Sequence, residues 1–204
     1  MLTLYDYLPS GNGYKVRLLL HQLGQRFRLV EKDIVKGETR RPEFLALNPN
    51  GRIPLLRFED GRCLAESGAI LWHFAEGTPF LSAEPFERAL TLQWMFFEQY
   101  SHEPNIATAR HWIQHLGGRA KWAGKIEEKV ERGHLALGVM EGHLAAHDYF
   151  VGDRYSIADI ALFAYTHVAE EGEFDLSRYP AIRRWLDRVA GQPGHVPITQ
   201  SVFD

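Results

Sequence analysis

One cysteine, Cys63, stands in 204 residues. A single thiol excludes an internal disulfide framework and a CxxC redox pair. It sits in a hairpin pattern beside apolar neighbours and is expected to be buried and inert. Basic excess is missing too: Lys and Arg number 23 against 26 Asp and Glu, a net charge of −3. That balance gives no electrostatic footprint for a nucleic acid. No apolar run approaches the ~20 residues of a membrane span, so no membrane partner is expected. No charged-then-apolar leader precedes the first strand-like pattern, and the cytoplasm is the expected location by default rather than by signal. Walker A, GxGxxG and HExxH motifs are all missing. Of ten histidines, His111 and His115 are four apart, as are His143 and His147. Neither pair brings a third ligand at zinc-like spacing, so no metal is expected.

What is there begins with a turn motif, Ser10-Gly11-Asn12-Gly13-Tyr14-Lys15-Val16. Before it, Leu2, Leu4, Tyr5 and Tyr7 mark a strand-like stretch. After it, Val16, Leu19, Leu20 and Leu23 recur at i, i+3, i+4 and i+7, one face of a helix. The motif is a strand-to-helix turn with Ser10 or Asn12 at or near the N-cap. Unpaired N–H groups and the dipole favour an anion at such an end. A small polar side chain there can hold a thiolate, a phosphate or a carboxylate, or it can simply cap the helix.

Helix one is expected over 12–23, stopped by Gly24. Phe27, Leu29, Ile34 and Val35 mark a second strand, and Pro42 suits the first turn of a short helix. Asn48-Pro49-Asn50-Gly51 is a turn cluster. Residues 52–58 and 62–64, either side of Asp60-Gly61, predict a β-hairpin. Pro54 at its entrance is a place for a cis bond. Glu66 or Ser67 begins a third helix, whose N-terminus offers more backbone donors beside a carboxylate. An acid complementing the helix dipole is the plainer explanation of Glu66. From residue 87 onward only helices are expected: 87–116 with a kink or a break at Pro104, then 119–147, 160–169 and 179–189. Ser156-Ile157-Ala158-Asp159 is a capping-box variant opening the third of these. The expected fold class is α/β plus all-α. A βαβαββα domain spans 1–77, a linker 78–86 and an all-helical domain 87–204.

This order of elements, with Asn48-Pro49-Asn50-Gly51-Arg52-Ile53-Pro54, Glu66-Ser67-Gly68-Ala69-Ile70 and the late Ser156-Ile157-Ala158-Asp159, resembles the cytosolic glutathione transferase family over nearly the whole chain. The first motif is most similar to the bacterial nu-like branch and its prion-type relatives. That pattern is a small polar residue, one residue, then Asn-Gly-x-Lys. It also places Ser10 where theta-like classes have their serine. The resemblance implies a thioredoxin-like N-terminal domain that binds glutathione as co-substrate, with no permanently bound cofactor. It implies a homodimer whose C-terminal helices supply dimer contacts and the wall for a second substrate. By position, Glu66 and Ser67 would hold the γ-glutamyl end of glutathione. Ile53, before cis-Pro54, would pair its backbone with the cysteinyl part, and Arg52 would reach the glycyl carboxylate. Asn12 and Ser10 are the candidate thiol contacts.

The chemistry agrees. A thiol has an unperturbed pKa of roughly 8.5 and must ionise near neutral pH to act as a nucleophile. Hydrogen bonds to the thiolate and a helix N-terminus both lower that value. Asn12 can donate from its amide and Ser10 from its hydroxyl. Neither is a good base, so the role is electrostatic stabilisation, with Asn12 favoured and Ser10 close behind. Tyr5 and Tyr7 fit the motif poorly as catalytic groups. With no cysteine in the turn, a mixed disulfide between protein and glutathione is disfavoured. The thiolate can attack an electrophilic carbon, giving a conjugate, or a disulfide sulfur, giving reduction. The residues do not separate the two. The alternative is a non-catalytic module of the same fold used for protein interaction. The joint presence of Ser10, Asn12, Ile53, Pro54, Glu66 and Ser67 argues against it. The stripe Trp94, Phe96, Phe97, Tyr100, His102, His111 and Trp112 reads as core or interface rather than as a dedicated ligand pocket, with Tyr100 and Arg110 as candidate second-substrate contacts.

Overall fold

A computed structural model describes residues 1–201; the last three, to which the expected helical domain extends, lie outside the described residues. In chain order the elements are β1 (Leu2–Asp6), α1 (Gly11–Gln22), β2 (Phe27–Glu31), α2 (Pro42–Leu45), β3 (Leu55–Arg57), β4 (Cys63–Ala65) and α3 (Ser67–Ala75). Then come α4 (Pro85–Phe97), α5 (Glu103–His115), α6 (Gly118–Leu144), α7 (Ile157–Thr166) and α8 (Pro180–Ala190). By packing, residues 1–78 and those from Pro193 onward form one unit, and residues 79–192 form another.

The first unit is built on a four-stranded sheet in the order β2-β1-β3-β4. The α1 crossover makes β1 and β2 parallel, while the hairpin makes β3 and β4 antiparallel. Leu29, Leu4, Leu56 and Leu64 lie opposite one another across the four strands. Leu4 and Leu56 are fully buried, and Val16 and Leu20 of α1, Phe27 and Ile70 close the core around them. The Ile53–Pro54 bond is cis.

Two expectations for this unit are corrected. Ile34 and Val35 are not strand, because β2 ends at Glu31. The Asp33 carboxylate accepts from the N–H groups of Val35 and Lys36 at 2.9 and 3.0 Å. Such a local side-chain turn competes with the ladder. Cys63 is exposed rather than buried. Strand alternation sends Leu64 toward the core, so Cys63 takes the outer face.

In the second unit, the long aromatic stretch divides into α4, a π-helical turn over Glu98–His102 and α5. Pro104 falls in the first turn of α5, where a missing N–H does no harm. Trp94 is buried against His143 and Phe150, with ring centroids 4.8 and 4.6 Å away. Arg110 is tied to Glu171 at 2.7 Å, which makes it a packing residue of this unit. His143 contacts the Tyr149 carbonyl and His147 the Asp153 carboxylate. Helix α7 is buried along its whole length and opens with a complete Ser156–Asp159 capping box.

The segment after Pro193 packs on the first unit. The Tyr14 hydroxyl donates to the Val196 carbonyl at 2.6 Å. Arg17 Nη1 donates to the carbonyls of Ile198 and Gln200 at 2.8 and 2.7 Å.

Candidate active site

Strand register gathers the candidate residues at one end of the sheet. Tyr5 near the end of β1 lies opposite Leu55 at the start of β3, and Leu55 lies opposite Ala65 at the end of β4. The chain leaving β1 leads to Ser10 and Asn12, the chain entering β3 passes through Ile53 and Pro54, and the chain leaving β4 enters Glu66 and Ser67. All three segments therefore sit past the same sheet edge.

Ser10 is the N-cap of α1, and its Oγ accepts from the Gly13 N–H at 3.4 Å. Its oxygen is thus used in capping, which leaves the hydroxyl proton to donate. Asn12 lies in the first turn. Its Oδ1 accepts from Lys15 Nζ at 2.8 Å and faces Ser67 Oγ at 3.5 Å. Lysine donates and does not accept, so the amide oxygen must be the end that faces it, and the amide nitrogen is the end that donates. Asn12 and Ser67 are brought together from positions 55 residues apart. No acidic residue stands in the first turn of α1, so the positive end of the helix is not offset there.

Beneath this turn lies a buried ion pair. Asp6 and Arg17 have fully buried side chains, with Arg17 Nε 2.9 Å from Asp6 Oδ2. Asp6 Oδ1 accepts from the Tyr7 N–H at 2.7 Å, and Arg17 Nη2 donates to the Leu8 carbonyl at 2.7 Å. Burial pushes the Asp6 carboxyl up to about 6, opposed by Arg17. Burial likewise raises the Tyr14 phenol, which keeps it a donor to the segment after Pro193. One guanidinium thus fastens β1, the loop to Ser10 and the chain's late segment to the helix that carries Asn12.

Glu66 has φ 69° and ψ 118°, a backbone region that a non-glycine residue occupies at a cost of about 1–3 kcal/mol. It is the N-cap of α3, yet its side chain makes no capping hydrogen bond and is exposed. The carboxylate is therefore not engaged in the helix it precedes. Ile53 lies just outside the β3 ladder, and its N–H and C=O make no hydrogen bond among the described residues. That is an extended, half-buried backbone segment open to pairing. Arg52 is exposed, and among the described residues only its carbonyl is engaged, by Asn48 Nδ2 at 2.8 Å. The structure does not bring Arg52 against the other candidates. Arg40 Nη1 holds the Asn50 carbonyl at 2.9 Å and so braces the turn before Arg52.

Lys15, Asp6 and Arg17 were not picked out by sequence reasoning. Lys15 could have been, since Asn12 and Lys15 at i, i+3 share a helix face. Asp6 also carried a signal: it shares the inward phase of Leu2 and Leu4, a place where an acid needs a partner.

The chain matches two family models, "Glutathione S-transferase, N-terminal domain" over residues 1–76 and "Glutathione S-transferase, C-terminal domain" over residues 94–193. It is 34% identical to "Disulfide-bond oxidoreductase YfcG" of Escherichia coli (strain K12), over 95% of this chain and 92% of that protein. The crystal structure of a glutathione S-transferase from Pseudomonas fluorescens Pf-5 is 50% identical, with a TM-score of 0.96 and coverage of 98% and 99%. The structure of Ure2p in complex with glutathione is 27% identical, with a TM-score of 0.84 and coverage of 95% and 90%. Fold, sequence and neighbours agree that this chain belongs to the glutathione S-transferase family.

Proposed function

We propose that residues 1–78 bind glutathione past the sheet edge described above and that Asn12 holds its sulfur as a thiolate. The observation that carries this reading is the fixed amide of Asn12, whose oxygen is engaged by Lys15 and faces Ser67. An amide held in that way is a preorganised donor, which costs little reorganisation when charge develops on sulfur. Ser10 is the second candidate: its oxygen caps α1 and its hydroxyl proton is left to donate, but that proton rotates, whereas the Asn12 amide is held. Glu66 and Ser67, at the start of α3, bind the γ-glutamyl end. The open backbone of Ile53 pairs with the cysteinyl part, and Arg52 turns toward the glycyl carboxylate.

The thiolate attacks a small electrophile or a disulfide. With a disulfide the balance is simple: glutathione sulfur bonds to one sulfur, the S–S bond breaks, and the other sulfur leaves as a thiolate. A second glutathione thiolate then attacks the glutathione sulfur of this mixed disulfide, the remaining substrate sulfur leaves as a thiolate and takes up a proton, and glutathione disulfide is formed. The name of the Escherichia coli relative supports the disulfide reading. No step needs a protein cysteine, which suits a chain whose one thiol lies on β4. The working molecule is a cytoplasmic homodimer.

The test is an ultraviolet titration of bound glutathione in the intact protein, Asn12→Ala and Ser10→Ala. A hydrogen bond to a charged group is worth about 1.5–3 kcal/mol, which is about one to two pH units. Asn12→Ala is expected to raise the bound thiol's pKa by that amount, and Ser10→Ala by less than about half a unit. A rise in Ser10→Ala alone would transfer the role to the serine. A bound thiol that titrates as in water would end the thiolate reading, and absence of binding would favour an interaction module.

A further inference from the structure

Lys15 is 1% exposed. Burying such a group is costly unless it is well partnered. A methionine or leucine would fill the same space on α1 without that cost, so packing alone does not account for a lysine here. The charge also stands in the second turn of α1, near the helix end that already favours anions over cations. The contact that bears on the site is the one Lys15 Nζ makes with Asn12 Oδ1.

We propose that Lys15 is a positioning residue for thiolate stabilisation, acting through Asn12. This rests on the reading of Asn12 as the thiol donor and deepens it. Two effects follow from the 2.8 Å contact between Lys15 Nζ and Asn12 Oδ1. The donor-only lysine fixes which way the amide is turned, so the Asn12 nitrogen is the end that faces the sulfur. It also draws electron density toward the amide oxygen and makes the Asn12 N–H a stronger donor, as donors in a hydrogen-bonded chain strengthen one another. The positive charge itself lies one amide away from the sulfur and favours its ionised form. Asp6 is matched by Arg17, and the exposed Glu66 carboxylate lies at the start of α3, assigned to the amino end of the ligand.

The experiment compares the intact protein with Lys15→Met, Lys15→Gln and Asn12→Ala. For each, the bound thiol is titrated with glutathione, and affinity is measured separately with S-methylglutathione, which has no thiol to ionise. Lys15→Met is expected to raise the bound thiol's pKa by about one unit, the low end for a nearby charge. Its affinity for S-methylglutathione should stay within about twofold. Lys15→Gln can still donate to the Asn12 oxygen but carries no charge, and an intermediate rise is expected; it also serves as the informative variant should Lys15→Met fail to fold. An unchanged pKa in both lysine variants, with Asn12→Ala raised, overturns the role of Lys15 and leaves Asn12 standing. Loss of S-methylglutathione binding in step with the pKa rise also overturns it, because the lysine would then only shape the site. If Asn12→Ala changes nothing, the reading of Asn12 fails and this proposal falls with it.

Discussion

Gly13 has no side chain because Asp6 occupies the space where one would stand. A Cβ built there would lie 1.5 Å from Asp6 Oδ1 and 2.1 Å from Asp6 Cγ. The buried carboxylate cannot swing aside, since Arg17 and the Tyr7 N–H hold both its oxygens. Gly13→Ala must therefore move α1, and with it Asn12. Overpacking of this kind costs typically about 1–3 kcal/mol, which urea unfolding will read as a lower midpoint. Gly124 is the control: it lies inside α6 with nothing within 4 Å of a built Cβ. Gly124→Ala is expected to stabilise by about 0.5–1 kcal/mol. Equal destabilisation by both would mean that the Asp6 contact is irrelevant. The sequence showed that a glycine stands beside Asn12 but not why. The reason is a carboxylate seven positions earlier, across a strand-to-helix turn, and no periodicity reports that approach. Asn12 was legible because its motif is local; its bond to Lys15 was overlooked although the spacing of three was in view.

Helix α7 shows the reverse case, in which a local pattern carried most of the information. Ser-x-x-Asp ahead of an apolar run reads as a capping box, and the structure has one. What the pattern hides is that Asp159 also accepts from Trp185 Nε1 at 2.9 Å and from the Phe150 N–H at 3.3 Å. One carboxylate thus joins α7 to α8 and to the loop before it. Burial pushes it up to about 6, above the ~3.9 of an unfolded aspartate. Between about pH 4 and 6 the folded state holds the proton more tightly than the unfolded one, so this group's contribution to stability falls as pH rises through that window. Half-buried His143 has the opposite sign: partial burial lowers it, and its contribution is lost as pH falls. Comparing the intact protein with Asp159→Asn cancels the histidine part. At pH 7 the substitution is expected to cost about 2 kcal/mol through lost capping and hydrogen bonds. The gap should be wider at pH 4. A gap that narrows toward pH 4 would mean that the fold prefers the ionised carboxylate. The break in the preceding helices was legible for a similar local reason, since Pro104 forces one. The choice of a π-helical turn over Glu98–His102 was not, because a bulge depends on what packs around it.

Two copies of the chain are proposed to work together, and the exposed aromatics mark where to look. Phe96 and Tyr100, one helical turn apart, are 67% and 88% exposed. Large apolar groups grouped on a surface mark interaction sites more often than chance. Sedimentation should return the mass of two chains, and Phe96→Asp should shift material toward one chain. A single-chain mass for the unaltered protein would remove the dimer. The order of elements that places these helices was readable from Gly, Pro and apolar spacing. The return of the last segment to the first unit was not. Arg17 and Tyr14 recognise the carbonyls of Val196, Ile198 and Gln200, and carbonyls are the same in every residue, so side-chain identity leaves no trace of the contact. This arrangement has a consequence for synthesis. Tyr14 and Arg17 are made about 180 residues before the carbonyls that complete their hydrogen bonds. The first unit must wait, with a buried guanidinium partly unmatched, while every residue of the second unit is added. A chain that stalls before residue 196 therefore carries an unfinished first unit, however well its helices have formed, and is open to proteolysis around Tyr14 and Arg17.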